Sequence, residues 1–119
     1  MPPAPTPAVY AELVSPSNAA IDRWNAAADR ADLDAIREVS RELAALLADF
    51  ADGVARHTWP AGARPHADAL VAGLGLEIAW YHTVAATADD AATVRALEAP
   101  WSDDAVEAAA LLREALDPD

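Results

Sequence analysis

The chain has 119 residues, with 20 acidic residues against eight arginines and no lysine, for a formal net charge of −12. Binding of a phosphate backbone depends on clustered cations, so this charge argues against nucleic acid as a partner. Charged residues interrupt every apolar stretch before it reaches the roughly 20 residues that cross a bilayer, so no membrane insertion is expected. The lack of cysteine excludes disulfides and thiol chemistry.

Alanine supplies much of the apolar content. Of 64 hydrophobic residues 33 are alanine, and the large aliphatic residues together with Phe50 number only 24. No alternating strand pattern occurs, whereas apolar residues recur with the period of a helix. The sequence therefore predicts an all-α protein whose thin core depends on close approach of the helices.

The N-terminal part divides into a tether and a first helix. Residues 1–7 contain four prolines and are predicted to be a disordered, extended tether, followed by a single helical domain over residues 8–119. The first helix is expected from Ala8 to about Arg30. Pro16 follows Ser15 inside it, which favours a kinked helix or a second helix starting there.

The next two helices have clear limits. Asp32 is a predicted N-cap for a helix that ends near His57, and the following helix is expected from Pro65 to about Ala86. Gly73 and Gly75 lie within this third helix. Glycine there costs helix propensity, so both are expected to permit close approach of a neighbouring backbone, with local pliancy as the alternative.

The C-terminal part predicts a short helix and a long one. Thr87 with Asp90 resembles a capping box for the short helix. Ser102 is the predicted cap of the last helix, whose first turn carries Asp103 and Asp104 at the positive end of the helix dipole. We expect an antiparallel four-helix bundle with a kinked first helix and a short extra helix before the last.

Three histidines are the candidate metal ligands. His66 and His82 lie sixteen residues apart on one predicted helix, which separates them by about 24 Å. His57 and His66 end and begin consecutive helices, so a metal- or haem-binding protein or enzyme that uses this pair is one alternative. The other interpretation places His57 as a cap over the core, and no cofactor is then expected.

Polar residues also occur beside the apolar faces of two helices. Asn18 and Asn25, with Ser17, are predicted near the buried face of the first helix, and Glu77 borders the face that holds Tyr81. A buried carboxylate requires partners because an unpaired one costs several kcal/mol. Asparagine amides and a tyrosine hydroxyl are suitable partners.

Three interpretations of Glu77 stay open. It belongs to a hydrogen-bond network between helices or tilts to solvent; it lines a ligand pocket with Asn25, Trp24, Trp80 and Tyr81; or its raised pKa suits acid or base catalysis. No second catalytic motif, such as a nucleophile elbow or a phosphate-binding loop, accompanies it.

Three stretches carry a resemblance to a wider group of proteins. Residues 10–20 (YAELVSPSNAA), the Trp59-Pro60 turn ahead of Pro65, and residues 112–116 (LREAL) resemble alanine-rich helical secreted proteins and lipoproteins of high-GC bacteria. The resemblance implies an extracytoplasmic helical bundle behind a proline-rich tether. It implies no activity and no catalytic residue, and neither a signal segment nor a cysteine for acylation is expected within residues 1–119.

The leading hypothesis is a non-catalytic, extracytoplasmic binding module. It would contact a small molecule or a protein partner through the bundle interior or through a tryptophan surface that includes Trp101. A structural homodimer joined through alanine and glycine faces is a further alternative, and a cytoplasmic location is the alternative to export.

Overall fold

The structure is a computed structural model that describes residues 6–116. Its described part contains helices joined by short connections and no strand, as predicted. The helices are α1 (Thr6–Asp29), α2 (Leu33–Arg56), α3 (Arg64–Ala85), α4 (Asp90–Leu97) and α5 (Asp104–Leu116). Within residues 6–116 no helix combines the length and the apolarity needed to cross a membrane.

The helices form a bundle that is tightly packed on one side and open on the other. α2 packs against both α1 and α3, and α3 also packs extensively against α5, while the short α4 touches α3 and α2. α1 and α5 make little contact with each other. The bundle is therefore not closed between its first and last helices.

The first helix differs from its prediction at two places. Thr6 and Pro7 belong to α1, although the tether was expected to include them; a proline in a first helical turn loses no intrahelical hydrogen bond. Residues 1–5 lie outside the described part. α1 also runs through Pro16 as one helix with the proline exposed, so a second helix starting at Pro16 is wrong, and a bend there stays a prediction.

Side-chain caps define several helix ends. The carboxylate of Asp32 accepts a hydrogen bond from the backbone N–H of Ala35 at 3.1 Å, which confirms the predicted N-cap of α2. At α4 the cap is Asp89, and the expected cap Thr87 is wrong. The Thr87 hydroxyl instead donates to the carbonyl of Val84 at 2.7 Å, because it lies just past the end of α3.

The last helix begins one residue later than a Ser102 cap implies. The Ser102 hydroxyl nevertheless accepts a hydrogen bond from the backbone N–H of Asp104, the first residue of α5, at 3.3 Å. Asp104 and Glu107 lie in the first turn of α5. Acidic side chains there favour the positive end of the helix dipole, as expected.

The connection between α2 and α3 is held by Trp59. Its indole is buried and donates a hydrogen bond to the carbonyl of Val54 at 2.8 Å. The ring also lies edge-on to His57 with ring centroids 4.5 Å apart. The turn is therefore an anchored part of the core.

The core is centred on α2, α3 and α5. Its fully buried large residues include Leu43, Leu70 and Leu112. At Gly73 an added Cβ would lie 2.6 Å from the backbone nitrogen of Ala105, so α3 and α5 meet backbone to backbone, as predicted. The same prediction is wrong for Gly75, where an added Cβ would meet nothing within 4 Å because this residue faces outward.

Candidate functional site

A groove opens between α1 and α5 because these two helices hardly meet. α2 and α3 form its floor, and it encloses about 180 Å³. Its lining residues are Tyr10, Val14, Ser17, Asn18 and Ile21 of α1, Leu47 and Phe50 of α2, Leu70, Leu74 and Glu77 of α3, and Ala105, Val106, Ala109 and Arg113 of α5. Most of this surface is apolar, so the groove is suited to an apolar molecule.

The composition of α5 explains the gap. Ala105 and Ala109 face the floor with side chains too short to bridge to α1, and Val106 stays 57% exposed at the edge. On the opposite wall, Val14 and Ile21 are only half-buried. Apolar surface that a closed bundle would cover is therefore left facing the groove.

Ser17 places a buried hydroxyl on the α1 wall. The residue is 1% exposed, and its Oγ has no hydrogen-bond partner within the described residues. A buried hydroxyl without a partner costs free energy relative to one bonded to water. Because this oxygen has almost no accessible surface, a bound molecule would reach it only after the side chain rotates toward the groove.

Glu77 places a carboxyl group on the α3 wall. It is buried, and no hydrogen bond to its side chain is formed by any residue between 6 and 116. Burial raises the pKa of Glu77 to about 7, and the nearby carboxylate of Asp103 adds to the rise. Burial also raises the pKa of Tyr81 to about 12, with the charge of Glu77 as the second cause.

The ends of the groove carry opposite charges. Glu77 and Ala105 lie at one end, and Arg113 lines the other. Ala105 and Arg113 are eight residues apart on α5, which corresponds to about 12 Å along the helix. The groove therefore combines an apolar middle with an acidic end and a cationic end.

The predicted aromatic residues do come together, but around one another. The ring of Trp80 lies 6.1 Å from that of Trp24 and 5.3 Å from that of Tyr81, measured between centroids. Trp101 joins them at 5.0 Å from Trp80, and the Trp24 indole donates to Ser40 Oγ at 2.9 Å. None of these four rings lines the groove. They pack against one another as an aromatic cluster beside Glu77, and a ligand site among them stays a prediction.

The expected inward position of Asn25 is wrong. Asn25 is exposed and lines no part of the groove, because Ala20, Trp24 and Ala27 occupy the positions of α1 that face the bundle. Asn18 is also exposed, but it lies at the rim of the groove. Of the two asparagines, only Asn18 is placed to meet a bound molecule.

The two histidines of the metal hypothesis face different neighbours. His57 is half-buried against Trp59, and its Nε2 is buried without a hydrogen-bond partner in the described part of the chain. His66 lines a shallow cleft with Leu111 and Glu114 of α5. Across residues 6–116 no group of three or more His, Cys, Asp or Glu side chains is arranged to hold a metal ion, and a site made by the pair alone stays a prediction.

Sequence reasoning identified Glu77 but missed the groove around it. Tyr10, Phe50 and Arg113 were not expected at a site. One signal was present: Ser17 interrupts the apolar positions Val14 and Ile21 with a polar residue at helical spacing. No pattern in the sequence, however, indicates that α1 and α5 fail to meet.

Comparison with known proteins gives no indication of the function of this chain. No protein-family model, no curated protein and no solved structure matches the chain. Function is therefore inferred from the chemistry of the site.

Proposed function

We propose that this protein is a non-catalytic binding module that takes a small, mainly apolar ligand into the groove between α1 and α5. The observation that carries the proposal is the buried carboxyl group of Glu77, which faces an open apolar groove without a hydrogen-bond partner in the described residues. Ser17 contributes a second unpartnered polar atom on the opposite wall.

Ser17 and Glu77 differ in how far they lack partners: the Ser17 Oγ is fully buried and unsatisfied, whereas burial only reduces the hydration of Glu77. Leaving a buried donor or acceptor unsatisfied costs about 1–3 kcal/mol. A ligand with one polar group near Glu77 and Ser17 would recover part of that cost, while its apolar body would cover the exposed surface of Val106 and Val14. Binding therefore relieves two unfavourable features of the free protein at once.

The size of the groove limits the ligand. A dry apolar cavity of about 150 Å³ accommodates a molecule such as benzene, and this groove encloses about 180 Å³. The ligand is accordingly about one ring with a short substituent, or an aliphatic chain of similar volume. A protein partner would have to insert a single side chain of this size.

Binding is favoured over acid or base catalysis by the placement of the charged groups. Catalysis of that kind needs its acid and base at one reacting centre. Glu77 is the one carboxyl group among the described lining residues, since Asp103 lies outside the lining. Arg113 lines the opposite end and stays protonated, so the lining holds no acid–base pair at one centre.

The architecture and location belong to the same proposal. Short connections favour antiparallel neighbours, and residues 30–32 and 57–63 join α1 to α2 and α2 to α3, which supports an antiparallel arrangement of the four long helices. The resemblance to secreted alanine-rich proteins supports an extracytoplasmic location. A homodimer remains a separate hypothesis, which light scattering tests.

A titration with a neutral apolar probe tests the binding site. Adding 2-phenylethanol to ¹⁵N-labelled protein should shift the amide signals of Val14, Leu74 and Ala109, which line the groove. Ala109→Phe should abolish these shifts because the larger ring fills the groove. Ala110→Phe is the matched control, since Ala110 is exposed and lies outside the lining.

Two results would count against the proposal. One is a set of shifts centred on the aromatic cluster near Trp101 with none in the groove. The other is an Ala109→Phe protein that folds normally and binds 2-phenylethanol as well as the unmodified chain does.

A further inference from the structure

We propose that the groove selects ligands whose apolar body ends in a protonated amine, with the ammonium group held at the Glu77 end. This inference rests on the proposed function and names the chemical class of its ligand. It is carried by the side chains that surround Glu77 and by the position of the unpartnered Ser17 hydroxyl.

The charges around this end of the groove favour a cation. Asp103, just before α5, lies close enough to Glu77 for the two carboxylates to repel each other. From α3 itself the neighbouring titratable group is Tyr81, a phenol that is neutral near pH 7 and whose pKa burial raises further, to about 12. Two carboxyl groups without a nearby lining cation therefore define the acidic end.

The remaining walls leave this charge uncompensated. The α2 residues that line the groove are apolar. The titratable lining residue of α1 is Tyr10, which lies at the other end of the α1 wall from Ile21. The cationic lining residue of α5 is Arg113, about 12 Å along the helix from Ala105. The acidic end thus attracts a cation, and the net charge of −12 favours the approach of one.

An ammonium group also matches the hydrogen-bonding capacity that is present. It has three N–H donors and no acceptor. An ionised Glu77 accepts from one donor, and Ser17 Oγ, which lacks a partner in the described chain, accepts from a second once its side chain rotates toward the groove. A hydroxyl ligand supplies one donor only, and a carboxylate supplies none and is repelled by Asp103.

The pH dependence follows from the same geometry. Burial raises the pKa of Glu77 to about 7, so much of the free protein carries a neutral carboxyl group at neutral pH. A cationic ligand pairs with the ionised form, so binding expels the proton and strengthens as pH rises. If only the ionised form binds, affinity increases roughly 30-fold between about pH 5.5 and about pH 8.5.

Calorimetric titration of the full chain with three probes of similar size tests this inference. They are 2-phenylethylammonium, 2-phenylethanol and 3-phenylpropionate, and each is measured at about pH 5.5 and at about pH 8.5. We expect the ammonium probe to bind at least tenfold more tightly than the alcohol at the higher pH and to lose this advantage at the lower pH. Glu77→Gln should remove both the preference and its pH dependence.

A matched substitution controls for charge and folding. Glu12→Gln makes the same chemical change at an exposed residue of α1 outside the groove, and it should retain the ammonium preference. Thermal melting followed by circular dichroism verifies that both variants fold. Loss of the preference in Glu12→Gln as well as in Glu77→Gln would assign it to net charge and overturn the inference.

The remaining outcomes separate this inference from the proposed function. Binding of the alcohol with an equal or weaker affinity for the ammonium probe overturns the ligand class and leaves the groove as a binding site. Tightest binding of 3-phenylpropionate overturns it too and assigns recognition to Arg113. Failure of all three probes to bind contradicts both proposals.

Discussion

The two flanks of α5 pack in opposite ways. Toward α3, Gly73 lacks a Cβ and its backbone contacts that of Ala105, while Leu112 is fully buried. Toward α1, Val106 and Ala109 face a groove that remains open. Both flanks contain small residues. Small side chains therefore bring two helices into contact only where the facing residue is also small, as Gly73 is opposite Ala105.

The difference has a consequence for Glu77. It lies on α3 at the junction of the two flanks, buried by the tight side and facing the open side. A carboxyl group in this position loses hydration without gaining a partner from the chain, and its pKa rises. The open flank and the polar group therefore belong to one feature, which is the reason for proposing a binding site there.

The largest expected effect comes from a substitution in the tightly packed flank, where α5 meets α3. Leu112→Ala should lower the free energy of unfolding by about 3 kcal/mol, because it removes a fully buried side chain and leaves a cavity. Leu111→Ala is the matched control one residue earlier, where the side chain is 47% exposed, and it should cost less than about 1 kcal/mol. Urea denaturation measures both, and equal losses would contradict the assignment of the packed face.

A second experiment measures how Glu77, at the junction of the two flanks, contributes to stability as pH changes. Its carboxyl pKa is raised from 4.5 to about 7 on folding, so between these values the folded chain retains a proton that the unfolded chain has released. Stability from this residue is fully present below about pH 4.5 and is lost as pH rises through about 7, amounting to about 2 kcal/mol after allowance for partial hydration.

Many other acidic residues also titrate in this pH range. The quantity to measure is therefore the difference in the free energy of unfolding between the original chain and Glu77→Gln. The Glu77→Gln variant should lack this contribution and should exceed the original chain in stability above about pH 7. Its advantage should shrink as pH falls from about 7 to about 4.5. A difference that stays constant between these pH values would show that Glu77 is well hydrated in the folded protein.

The smallest effect compares the two glycines of α3. Gly73→Ala should destabilise the protein by about 1 kcal/mol, because displacing the α5 backbone costs more than alanine gains in helix propensity. Gly75→Ala should instead stabilise it by about 0.5 kcal/mol, since an added Cβ there meets nothing within 4 Å. Thermal unfolding of both variants checks the signs, and stabilisation by both would show that α3 and α5 are not in backbone contact.

Local features of the fold were predictable because neighbouring residues determine them. Asp32 caps α2 through the backbone N–H of Ala35, three residues along the chain. The cap of α4 was predicted wrongly because two nearby polar residues compete for it: Thr87 bonds backward to α3, and Asp89 caps α4. The prediction for Asn25 was wrong for a different reason. A residue at the edge of an apolar helix face is covered or exposed according to small differences in the rotation of its helix.

The sequence by itself determined the helical class, most helix limits and the unusual position of Glu77 beside an apolar face, since period and capping are local properties of the chain. Only the tertiary structure decided that α5 packs on α3 and hardly touches α1, and that three expected pocket residues, Trp24, Trp80 and Tyr81, contact one another instead. Those outcomes depend on which helices approach each other and at what distance, and that distance is set by pairs of residues such as Gly73 and Ala105 that lie far apart along the chain.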